Sequence, residues 1–96
     1  MSKPRVVKDY EKLSQEIKEQ IKLAYPEGFE LSLVRFKDSK GKNVSALPFE
    51  TDEKYYLIRM TVSQALEIVE EDEDYDDDGV LRDDVKGEYE EKYEEL

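Results

Sequence analysis

Ninety-six residues, of which 43% are charged and 38% hydrophobic, suffice for one modest core and exclude a second. There is no cysteine and no histidine, which excludes a disulfide scaffold, thiolate chemistry, zinc sites of the usual type and histidine acid–base catalysis, and predicts a cytoplasmic protein. The net charge of −11 is uneven: residues 1–66 carry 12 Lys/Arg against 10 Asp/Glu (+2), and residues 67–96 carry 3 against 16 (−13).

The opening residues, MSKPRVVK, read as a loose basic lead over 1–8, with one domain over 9–96. No apolar segment follows them, which predicts no secretory signal, and no run of roughly eighteen apolar residues predicts a membrane span. From Asp9, the spacing of Tyr10, Leu13, Ile17, Ile21 and Ala24 in steps of three and four predicts a helix. Asp9 is placed to cap it, and Pro26 with Gly28 ends it after Tyr25.

Three strand-like runs follow. ELSLVRFK (30–37) and NVSALPF (43–49) flank a glycine-containing turn, and YYLIRM (55–60) is the hexapeptide richest in strand formers. Pro48 cannot donate to a ladder and predicts an edge position or a strand end. Short turns between the three predict an antiparallel meander with the first helix packed on it.

Thr61 with Gln64 three residues later forms a capping-box pattern and opens a second helix over 61–71. Val62, Ala65, Leu66 and Val69 give its apolar face. Asp83 or Asp84 can cap a third helix carrying a stripe of Val85, Tyr89, Tyr93 and Leu96. A disordered tail has little use for such a stripe, so this segment is expected to dock. Gly87 within it costs about 1 kcal/mol relative to alanine. The predicted class is α+β: N-terminal helix, three-stranded antiparallel meander, and two C-terminal helices joined by an acidic loop, with 67–96 a strongly acidic helix–loop–helix.

Between the last two helices, eight of the nine positions from Glu70 to Asp78 are carboxylates. In the frame Asp74-Tyr75-Asp76-Asp77-Asp78-Gly79-Val80-Leu81, this stretch resembles the first part of an EF-hand calcium loop. That resemblance implies side-chain oxygens from Asp74, Asp76 and Asp78, a carbonyl from Val80, a sharp turn at Gly79 and an apolar anchor at Leu81. Position twelve of the pattern, a bidentate Glu, is here Val85, which cannot bind a metal. Asp83 at position ten can close the loop instead, as in shortened variants, and Asp84 is a weaker substitute. Calcium is therefore the cofactor this reading implies.

A second reading makes the stretch a recognition surface for a basic protein partner, formed by Glu70, Glu71, Asp72, Glu73 and Asp77 with Tyr89 and Tyr93 beside them. A third makes it a solvated connector with a turn at Asp78-Gly79. Nucleic acid is disfavoured as a partner, because phosphates need clustered Lys and Arg and these are scattered. No phosphate-binding loop, nucleophile elbow or zinc-helix motif is present, so a non-enzymatic binding or adaptor role is expected.

Over most of its length, through ALPFETDEKYYLIRMT and the later DYDDDG, the chain resembles a family of short acidic bacterial proteins of unknown function. Some members are called DNA primases. Such an activity needs a zinc-binding or catalytic domain far larger than this chain.

Overall fold

The computed structural model describes residues 3–93. In chain order the elements are β1 (Arg5–Asp9), α1 (Gln15–Ala24), β2 (Val34–Lys37), β3 (Asn43–Glu50), β4 (Tyr55–Arg59), α2 (Val62–Glu71) and α3 (Asp83–Tyr93). Short 3-10 turns occupy Tyr10–Lys12 and Glu30–Ser32.

The four strands form one mixed sheet in the order β1-β4-β3-β2, which corrects the expected three-stranded meander. β2, β3 and β4 pair antiparallel as expected, but residues 5–9, expected as a loose lead, add a strand parallel to β4. α1 therefore does not precede the sheet. It is the crossover between β1 at one edge and β2 at the other, with β3 and β4 filling the space between. Tyr55 N donates to Pro4 O at 3.0 Å, and Lys3 Nζ donates to Thr51 O at 2.8 Å, fixing the start of the chain to the β3–β4 turn.

The first helix is shorter than its apolar spacing predicts. It begins at Gln15, with Ser14 Oγ accepting from Ile17 N at 3.3 Å; Asp9 instead ends β1 and pairs with Arg59 at 3.0 Å. The segment expected as a strand over 30–37 begins as a 3-10 turn, which leaves Leu31 91% exposed and starts β2 only at Val34. That turn follows Phe29, which inserts fully into the core with the rings of Tyr10, Tyr25 and Tyr75 at 6.0, 6.3 and 6.0 Å.

β3 is central rather than an edge. Its pairing with β2 nevertheless ends at Ala46, so Pro48 stands where only β4 is alongside. The Tyr25 hydroxyl donates to the Pro48 carbonyl in the gap. Leu47, Phe49, Tyr56 and Ile58 point to the helices and join Ile21, Ala65, Val69 and Leu81 in one core. The alternate sheet positions Val7, Val44 and Leu57 lie outside it. α2 starts at Thr61 with the full capping box: Thr61 Oγ1 accepts from Gln64 N at 3.1 Å and Gln64 Oε1 accepts from Thr61 N at 2.8 Å. Among the described residues no helix is long and apolar enough to cross a membrane. Leu96, expected on the stripe of the third helix, lies outside the described residues.

Candidate functional site: the folded acidic segment

The acidic stretch is not an extended connector. Tyr75, the only residue from 70 to 78 without a carboxylate, enters the core beside Phe29, and its hydroxyl donates to Tyr25 O at 2.9 Å. Leu81 is also buried, and Leu81 N donates to Pro26 O at 2.6 Å. Tyr75 and Leu81 face each other across an antiparallel bridge, with Arg82 N donating to Asp74 O at 2.9 Å. Residues 74–82 thus form a small hairpin pinned to the loop that follows α1. Burial pushes the Tyr75 hydroxyl far above its ordinary pKa, reinforced by Tyr10, Asp72 and Asp74.

The hairpin tip is a turn that occurs twice in this molecule. In residues 76–80, Asp76 N donates to Val80 O (2.8 Å) and Gly79 N to Asp76 O (3.0 Å). Asp76 Oδ1 accepts from Asp78 N (2.9 Å) and Val80 N (3.0 Å). In residues 38–42, which join β2 to β3, Asp38 N donates to Lys42 O (2.9 Å) and Gly41 N to Asp38 O (3.0 Å). Asp38 Oδ1 accepts from Lys40 N and Lys42 N, both at 2.9 Å. The glycines match as well, Gly79 at φ 78° and Gly41 at φ 79°, a left-handed conformation that other residues adopt only with strain. DSKGK has no ligand set of the calcium pattern. The shared requirement is an aspartate that caps the turn and a glycine three residues on. Gly79 and Asp76 are therefore accounted for by turn geometry.

The residues singled out for a cation are placed as follows. Asp74 Oδ2 accepts from Lys22 Nζ at 2.8 Å and from the Tyr89 hydroxyl at 2.7 Å. One oxygen of Asp76 and the carbonyl of Val80 are engaged within the turn, Asp78 points outward, and Asp83 opens α3 at the surface. Among the described residues no three Asp or Glu side chains gather into a cation-binding group.

What sequence reasoning missed is a polar clasp between α1 and the acidic segment. α1 carries two charged residues that are nearly fully buried, Glu19 (7% exposed) and Lys22 (5%). Lys22 Nζ lies 2.6 Å from Asp72 Oδ2 and 2.8 Å from Asp74 Oδ2. Glu19 accepts from Lys92 Nζ (2.9 Å), from Gln15 Nε2 (3.2 Å) and from the Tyr93 hydroxyl. Tyr89 and Tyr93, expected on the partner surface, are half-buried with their hydroxyls turned inward to Asp74 and Glu19. α3 has no fully buried residue, and Val85 is its contact with the apolar core. It is held largely by hydrogen bonds to buried charges.

The electrostatics follow from that arrangement. Burial raises the Glu19 carboxyl, but hydrogen bonds from Tyr93, Lys92 and Gln15 outweigh it and hold the group below its ordinary pKa. Asp74 is likewise raised by burial and lowered further by Lys22 and Tyr89, with a net downward shift. Burial lowers the Lys22 ammonium, and its bonds to Asp72 and Asp74 reverse this and raise it. The Tyr10 hydroxyl, buried near the same aspartates, is pushed up to about 12. No sequence periodicity marks Glu19 and Lys22, because they flank the apolar stripe of α1 and read as its solvated side.

The remaining acids stay outside. Glu70, Glu71, Glu73, Asp77 and Asp78 are exposed, and their carboxylates have no hydrogen bond or ion pair among the described residues. Glu88, Glu90 and Glu91 continue this negative face along α3. Comparison with family models, with curated proteins and with solved structures gives no match.

Proposed function

We propose that this protein is a non-enzymatic binding module of the cytoplasm that presents a preformed carboxylate surface to a basic protein partner. The observation that carries the reading is the division of the acids into two sets. Asp72, Asp74 and Glu19 are neutralised internally and anchor the segment. Glu70, Glu71, Glu73, Asp77 and Asp78 are held on the end of α2 and around the hairpin, with no paired cation among the described residues. A charged surface on ordered elements loses little conformational entropy when it meets a partner, whereas a flexible acidic linker must be ordered first.

Binding of fluorescent polylysine, followed by anisotropy at increasing salt, tests the proposal. Affinity should fall steeply with ionic strength and weaken in the triple variant Glu70→Gln/Glu73→Gln/Asp77→Asn. Binding that ignores salt, or none at low salt, would refute it.

A further inference from the structure

A groove of about 690 Å³ opens between the start of β3, the end of β4 and one side of α2, with the 3-10 turn at Tyr10–Lys12 on its third side. Its apolar lining residues are Tyr10, Val44, Met60 and Ile68, of which Met60 is buried in the core and Val44 belongs to the sheet positions that alternate with the helix-facing ones. Glu11, Glu67 and Glu71 stand on its rim, and none of the three has an ion pair or side-chain hydrogen bond among the described residues. Among the lining residues there is a single cation, Arg59, and Asp9 already pairs with it at 3.0 Å. Glu67 and Glu71 are one helical turn apart on α2 and repel each other, which a cation placed between them would relieve.

We infer that this groove receives a short basic segment of a partner protein, an apolar side chain against Tyr10 and Ile68 and flanking Lys or Arg side chains on Glu11, Glu67 and Glu71. This rests on the proposed function and assigns the place on the molecule where a basic partner is gripped. The carboxylates of the hairpin follow a few residues after Glu71, at the same end of α2, and add longer-range attraction. The groove adds what an acidic surface lacks, an apolar contact that discriminates among cationic sequences, since electrostatics alone gives rate more than selectivity.

The test is an amide-shift titration of the full chain with an N-acetylated, C-amidated Lys-Arg-Leu-Arg-Lys peptide and with its Leu-to-Ser counterpart. Shifts should concentrate at residues 43–45 and 60–71, and the leucine peptide should bind more tightly. Glu67→Gln/Glu71→Gln should weaken it about tenfold, while Glu73→Gln/Asp77→Asn changes affinity less than about twofold. Shifts confined to 73–78, or equal affinity for both peptides, would overturn the groove and leave the acidic-surface reading standing. Absence of binding by either peptide at low salt would overturn both.

Discussion

Lys22 is the residue on which the acidic segment depends most. Its ammonium is the only cation within ion-pair distance of Asp72 and Asp74 among the described residues, and it is buried. Removing one partner of a buried pair leaves the other charges uncompensated, at about 3–5 kcal/mol. Asp72 and Asp74 keep some contact with water, so Lys22→Met should cost about 2–3 kcal/mol, read from the urea midpoint. Lys92 is exposed on the helix surface, and Lys92→Met should leave the urea midpoint nearly unchanged. Glu19 and Asp74 have folded pKa values below their ordinary 4.5 and 3.8. Their stabilisation is thus complete above those values and lost as pH falls through the lower, folded ones. Acid simultaneously relieves the repulsion of a chain at −11, so the loss should be local. Below about pH 4 the amides of α3 should lose exchange protection before those of β3 and β4. At this scale the sequence is least legible. Tyr75 stands out in it as the one ring among carboxylates, but Glu19 and Lys22 have the same appearance as their solvated neighbours.

The elements differ in how they announce themselves. The bounds and cap of α2 were readable, because a capping box is a local signal, but its apolar face was only half so: Ala65 and Val69 are buried as expected, Val62 and Leu66 are exposed, and Ile68 packs on the core instead. β3 and β4 were readable from strand formers between short turns. β1 was not. RVVKD has two valines among charges, and its partner is β4, some fifty residues away and parallel, so no hairpin turn marks the pairing. The overlong first helix has a related cause. Tyr10 and Leu13 keep the helical spacing but serve as core contacts from the 3-10 turn and its exit. Thr61→Ala should cost about 1 kcal/mol by removing the cap of α2. Gly87→Ala should stabilise the protein by about 0.5–1 kcal/mol, because an added Cβ meets nothing within 4 Å and the position is helical. The two aspartate–glycine turns offer a matched pair. Gly41→Ala and Gly79→Ala should each cost about 1–2 kcal/mol, and calcium should alter neither value, as thermal melts with and without the ion will show.

For the molecule as a whole, the division of charge seen in the sequence becomes a division of roles. The nearly neutral first two-thirds builds the sheet and α1, and the segment at −13 closes over them through its few inward-facing groups. Charge balance and composition marked this segment as the place of interest, but whether it folds depends on Tyr75, Leu81 and Lys22 meeting across about fifty residues, which no local pattern encodes. The acidic segment is thus an ordered surface rather than a solvated connector. Native-state amide exchange over 74–82 tests it most directly. Asp76 N, Leu81 N and Arg82 N, bonded to Val80 O, Pro26 O and Asp74 O, should exchange orders of magnitude more slowly than unstructured amides, with Leu81 approaching the core strands. Exchange at unprotected rates throughout 74–82, with β3 and β4 still protected, would contradict it.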